Sequence, residues 1–281
     1  MSHETVYAIA SGKGGVGKTT ATVNLGTALA QAGKRVAIVD GDLGMANLAG
    51  FVSLDPDSIT LHDVLSESAS VESATYPLAE NIVAVPSGTE LDEYAETSPE
   101  RLRECLETLR ERFEYVLLDV GAGVSHETVL PLGLADAVVL ITTPEPAAVH
   151  DAEKTLELTD RAGGTVEGLV INRTRPDGDG SYEEIADRLG TPLLATVPDD
   201  PAVRESVCAG TPLVVHDAES PAAVAYRQLA VKLAGLEIPD PEPPSTDGDE
   251  TEATTDDREE ETNVASHADV SSAITEAEAE K

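Results

Sequence analysis

Eight consecutive residues, Gly12-Lys13-Gly14-Gly15-Val16-Gly17-Lys18-Thr19, match the pattern G-x-x-x-x-G-K-[ST]. The pattern serves phosphate chemistry. Its glycines accept backbone angles that turn successive N–H groups inward, making a nest for phosphate oxygens. A helix starting near Gly17 aims the positive end of its dipole at the same point. Lys18 then reaches the β and γ phosphates, and the Thr19 hydroxyl ligates Mg²⁺. Lys13 is the unusual member. Cradling one nucleotide needs no second lysine in the loop, and the chain has only six lysines in 281 residues. Its presence points to a specific anionic partner. Three acids, Asp40, Asp42 and Asp119, stand at or just beyond the ends of two other apolar runs.

These residues must be held by something. Val6–Ala10, Val36–Asp40, Ile82–Pro86, Tyr115–Val120, Ala137–Thr143, Val166–Arg173 and Leu193–Pro198 read as strands. Most are nearly continuous apolar runs, the mark of strands buried on both faces. Thr19–Ala32, Pro99–Arg112, Ala147–Ala162, Ser181–Leu189 and Pro221–Ala234 read as helices. Alternating strand and helix predicts an α/β fold, a mostly parallel twisted sheet with helices on both faces. In such a sheet Asp40, Asp42 and Asp119 converge beyond the carboxyl ends of the strands, where ligands bind. Asp55–Thr97 is the least regular stretch and reads as an insertion with a short helix near Leu61–Leu65. The composition changes after Gly235. Residues 1–238 are expected to form one nucleotide-binding domain. Residues 239–281, with too little apolar surface to offset ordering entropy, are expected to be a disordered acidic tail.

With Lys13 included, the loop resembles the deviant Walker A loop of the MinD/ParA family of dimerising P-loop ATPases. Asp40-Gly41-Asp42-Leu43-Gly44-Met45-Ala46-Asn47-Leu48 is similar to the switch I segment of the MinD branch. Val116-Leu117-Leu118-Asp119-Val120-Gly121-Ala122-Gly123 looks like Walker B followed by switch II. Val170-Ile171-Asn172-Arg173 and Val197-Pro198-Asp199-Asp200 resemble the adenine side. The blocks run in the family's order over about residues 4–235. The resemblance implies ATP and Mg²⁺ as ligands and an ATP-dependent homodimer. It implies that Lys18, Thr19 and Thr20 hold phosphates and Mg²⁺, with Asp40 and Asp119 holding Mg²⁺ through water. Lys13 would cross the dimer interface to the partner's phosphates, and Asp42 would orient the attacking water. Asn172, Arg173, Pro198 and Asp199 would surround the adenine. One departure stands out. The family often has Pro where Gly121 follows Walker B, and a glycine there is expected to loosen switch II. The Asp-Val-Gly-Ala-Gly segment is as similar to the flagellar-number branch as to the division-site branch.

Charge narrows the function. The chain carries a formal −35, of which the last 43 residues hold −13. Such a field opposes non-specific binding to DNA, RNA or anionic lipid, each of which needs clustered Lys/Arg. Few lysines, many acids and no Trp suggest a protein from a high-salt cytoplasm, where the Debye length falls to roughly 3 Å. Cys105 and Cys208 are too few for a disulfide framework or a four-cysteine metal site. Cys105 shares a helical apolar spacing with Leu102, Leu106, Leu109 and Phe113, which predicts a core residue. The longest uncharged run, Thr19 to Gly33, is too short and polar to span a bilayer. No leader is visible at the start of the chain, so a cytoplasmic protein is expected. The tail has no cationic face to lie on a membrane, so membrane contact is expected only through a partner. The expectation is thus a slow MinD-like ATPase that, with an unidentified protein partner or activator, positions a division, motility or chemosensory assembly. The alternatives are a ParA-like DNA-partitioning ATPase and a metal-cluster carrier of the same superclass.

Overall fold

Strand β1 (Thr5–Ala10) starts the fold at the centre of an eight-stranded sheet. A computed structural model describes residues 4–51, 58–88, 97–123, 126–175 and 181–236. The other strands are β2 (Val36–Gly41), β3 (Tyr76–Ala79), β4 (Ile82–Val85), β5 (Tyr115–Val120), β6 (Ala137–Thr142), β7 (Val166–Thr174) and β8 (Leu193–Pro198). Their spatial order is β3-β4-β2-β5-β1-β6-β7-β8, and every pairing is parallel except β3 with β4. The expected mostly parallel α/β sheet is therefore present.

The strands carry apolar residues on both faces, and their two-residue period sorts them. Tyr7, Ile9, Ile38, Leu117 and Val139 face one core layer. That layer is closed by α1 (Lys18–Gln31), α8 (Leu213–His216) and α9 (Pro221–Leu233). Val6, Ala8, Val39, Leu118 and Val138 face the other. It is covered by α2 (Leu61–Leu65), α3 (Leu102–Arg110) and α4 (His126–Leu134). A smaller cluster beside it packs α5 (Pro146–Arg161) and α6 (Tyr182–Leu189) on Leu140, Leu169 and Ile171. Cys105 lies in the second layer with Leu102, Leu106, Leu109 and Phe113, all buried as their spacing predicts. Thr19–Gly33 falls on the buried helix α1 and its cap. No described helix is long and apolar enough to cross a membrane.

Several elements depart from the sequence reading. The irregular stretch holds an antiparallel hairpin, β3–β4, beside the expected short helix. Pro77 hides β3, but a proline is tolerated on an edge strand. Helix α4 contains Pro131, which argues against a helix in the sequence. Pro99–Arg112 divides into a 3₁₀ turn, Pro99–Arg101, and α3. Helix α7 (Pro201–Cys208) and α8 were not expected at all. The acidic tail lies outside the described residues.

Candidate phosphate and base site

The chain leaves β1 at Ala10 and enters the glycine loop with Ser11, whose hydroxyl donates to the Lys13 carbonyl at 3.1 Å. Gly15 (φ +79°) and Gly17 (φ +93°) are left-handed, and Gly17 is the N-cap of α1. Glycine suits those angles without strain. Gly12 is required for a different reason. A Cβ there would stand 2.1 Å from the backbone oxygen of Asp151, so the loop rests directly on α5. Gly14 has nothing within 4 Å of such an atom, so the outer rim of the loop is open.

The two lysines of the loop stand in opposite states. Lys18 is 8% exposed and its Nζ lies 2.9 Å from Asp119 Oδ1. Thr22 Oγ1 donates to the same oxygen at 3.4 Å. Lys13 is exposed on the rim. The Glu145 carboxyl is held below its usual range, first by a hydrogen bond from Thr143 and further by the charges of Arg173 and Lys13.

Parallel pairing of β2 with β5 sets Asp40 directly beside Asp119. Both are essentially fully buried. Asp40 Oδ1 accepts from the backbone N–H of Asp42 at 3.2 Å. Its Oδ2 accepts from those of Asn47 and Leu48, each at 3.0 Å. Burial, and then the Asp119 charge, push its carboxyl up to about 7 against these hydrogen bonds. Asp119 Oδ2 is buried and accepts no hydrogen bond. A buried carboxylate oxygen left without a donor is costly, and a hard cation would satisfy it. The donor types of Thr19, Asp40 and Asp119, all oxygen, suit Mg²⁺. Asp42 is half-buried just past the end of β2.

On the far side of α1's N-terminus lies an open cavity of about 820 Å³, lined by Gly17, Thr20, Asn172, Pro198 and Asp199 among others. The adenine-side residues expected from sequence therefore share one cavity with the end of the glycine loop. Two of them also brace that loop. Asn172 Nδ2 donates to the Val16 carbonyl and Arg173 to the Gly15 carbonyl, both at 2.8 Å. Arg173 holds a positive φ of 56°, an uncommon angle for a residue other than glycine. Helix α7 supplies a wall the sequence reading missed, with Val203, Arg204, Val207 and Cys208. Its signal was available: Asp200 caps it by accepting from the Ala202 N–H at 3.0 Å, and Pro201 takes the first turn.

A glycine loop leading into α1, a buried lysine, paired acids on adjacent strands and an open cavity beside them together suit a nucleoside triphosphate. Comparison with known proteins agrees. The family model described as the CobQ/CobB/MinD/ParA nucleotide binding domain matches residues 7–213. An uncharacterized ATP-binding protein of Methanocaldococcus jannaschii is 38% identical, over 81% of this chain and 87% of its own. The cell division ATPase MinD of Pyrococcus furiosus superposes with a TM-score of 0.78 at 36% identity, covering 83% of this chain and 99% of that one. The septum site-determining protein MinD of Pyrococcus horikoshii, solved with Mg-ADP, gives 0.77 at 35% identity, covering 82% and 95%. The chain therefore belongs to the MinD/ParA family of nucleotide-binding domains.

Proposed function

We propose that the chain is an ATP-dependent switch that binds Mg-ATP, dimerises through its phosphate-loop face, hydrolyses ATP slowly and positions another cellular assembly. The observation that carries the reading is the contrast between the two loop lysines. Lys18 is buried on Asp119, poised to serve phosphates of the same chain. Lys13 is exposed on the open rim of the loop. A cation there supplies charge to a neighbouring site, the role an arginine finger plays in trans. Phosphoryl transfer asks for positioning and charge neutralisation more than covalent help. In this reading the loop N–H groups and Lys18 orient the phosphates. Thr19, Asp40 and Asp119 are the residues that would hold Mg²⁺, which neutralises phosphate charge when bound. Asp42 orients the attacking water, and Asn172, Arg173, Pro198 and Asp199 bound the base. The likeness to proteins named for septum-site determination and cell division supports a spatial role in division. The net charge of −35 weighs against DNA partitioning.

Size exclusion with ATP tests the switch at high salt. Wild-type chain is expected to shift to a dimer. Lys13→Ala is expected to bind ATP as a monomer without productive dimerisation or turnover, whereas Asp42→Ala is expected to dimerise and stay dimeric. Normal hydrolysis by Lys13→Ala would refute the trans role. ATP-dependent shifting of non-specific DNA would favour the partitioning reading instead.

A further inference from the structure

Two buried side chains outside every motif of the nucleotide site reach the backbone on either side of Asp42. On the near side is Ser87, just past the end of β4. Pro86 brings no N–H to extend the β2–β4 ladder beyond Val39 with Val85. The Ser87 hydroxyl instead donates to the Asp40 carbonyl at 2.6 Å. On the far side is His62 of α2, whose Nε2 lies 3.1 Å from the Leu43 carbonyl. A carbonyl only accepts, so Nε2 carries the proton. Ser87 is 1% exposed and His62 2%. One junction places both, because the Pro86 carbonyl accepts from the Leu61 N–H at 2.8 Å and α2 starts there. Reciprocal capping then fixes the helix. Thr60 Oγ1 accepts from the His62 N–H at 3.2 Å, and Asp63 Oδ2 from the Thr60 N–H at 2.8 Å. Between the two donors, Asp42 gives its own N–H to Asp40 Oδ1. Its carboxylate lies beside Gly121, where a Cβ would stand 3.1 Å from Oδ1.

We infer that His62 is a positioning residue: its hydrogen bond to the Leu43 carbonyl sets the course of the backbone at Asp42, and through it the rate of ATP hydrolysis, without a part in holding nucleotide. The inference rests on the reading of Asp42 as the group that orients the attacking water. Ser87 holds the chain before Asp42 and His62 holds it after, both from the end of β4. Without the imidazole N–H, the buried Leu43 carbonyl loses that donor and the segment shifts to recover one. Orientation of a reacting group is sensitive to shifts of an ångström or less. The phosphate loop is braced elsewhere, on α5 and by Asn172 and Arg173, so nucleotide binding is spared.

The test compares His62→Leu, His62→Asn and His62→Gln in the full-length chain, read by steady-state ATP turnover and by ADP affinity. Gln carries an N–H about as far from the backbone as Nε2, whereas Asn is polar but too short to reach. His62→Leu and His62→Asn are expected to lose about 5- to 30-fold in kcat, with KM and ADP affinity within about twofold of wild type. The retained ADP affinity doubles as proof that the variants fold. His62→Gln is expected to recover kcat to within about threefold of wild type. Asp42→Ala and the double variant Asp42→Ala/His62→Leu are expected to turn over equally slowly, because no carboxylate remains to misplace. A kcat within twofold of wild type for His62→Leu would overturn the inference. So would a His62→Gln as slow as His62→Asn, a joint loss of kcat and ADP affinity, or a double variant slower than Asp42→Ala. If Asp42→Ala itself hydrolyses normally, the Asp42 reading falls and the inference with it. If Asp42→Ala is slow while His62→Leu is normal, only the role of His62 falls.

Discussion

The phosphate side and the base side of the site are built from the same sheet in different ways. On the phosphate side, β2 and β5 are buried along their whole length and carry Asp40 and Asp119, two essentially fully buried acids, one residue before their ends. The loop after β1 is pressed against the α5 backbone. On the base side, β8 is half-buried at five of its six positions, and the cavity walls carry Arg173, Arg175, Arg204 and Glu205. In the proposed assignment, phosphate recognition relies on fixed backbone and desolvated charge, where a small displacement is expensive. Base recognition, in the same assignment, relies on side chains that keep contact with water, where single losses are cheap.

Four perturbations would break or sharpen this contrast. The largest effect is expected from Lys18→Ala. ATP affinity should fall by at least about 100-fold. Stability should also drop by about 3–5 kcal/mol, because Asp119 loses the partner of a buried pair. Calorimetric titration and thermal unfolding check the two parts, and near-normal ATP binding would contradict the assignment of the loop. Next comes Gly12→Ala, expected to cost about 3 kcal/mol or more in denaturant unfolding, since a methyl has no room before the Asp151 carbonyl. Gly14→Ala in the same loop is expected to stay within about 0.5 kcal/mol of wild type. Equal losses at the two positions would mean that the loop does not rest on α5 as described.

On the base side, Asn172→Ala should be milder. It removes one hydrogen bond to the Val16 carbonyl, worth about 1 kcal/mol. ATP affinity is expected to fall about 5- to 10-fold, with the loss visible for ATP and ADP alike. The smallest effect is expected from deleting residues 239–281. They carry −13 and few large apolar side chains. Thermal stability and intrinsic ATPase rate should change by less than about 20%, since the segment has little to add to a core. A large loss of activity would mean that the tail folds onto the nucleotide domain.

How much of this was legible in the sequence follows the same divide. The glycine loop, the strand ends bearing Asp40 and Asp119, and the parallel sheet all read out directly. Phosphate binding confines residue types at fixed spacing, and buried strands confine hydropathy. The α7 part of the cavity wall did not read out, because α7 has a single buried residue, Ser206, and so no apolar stripe. Helix α4 and strand β3 were masked by Pro131 and Pro77, where tertiary context overrides a local breaker. Gly121 was expected to loosen switch II. Its contact with Asp42 is set by strand register between residues 79 positions apart, which no local pattern reports.

Asp40 has a further consequence for how the segment from Asp42 to Leu48 comes loose. Its two oxygens gather three backbone N–H groups spread over seven residues, and two of the three share Oδ2. A proton or a cation that claims Oδ2 therefore contests both moorings together. The two moorings at Oδ2 are thus coupled through a single atom, while Leu43 and Leu48 hold the same segment to the two core layers.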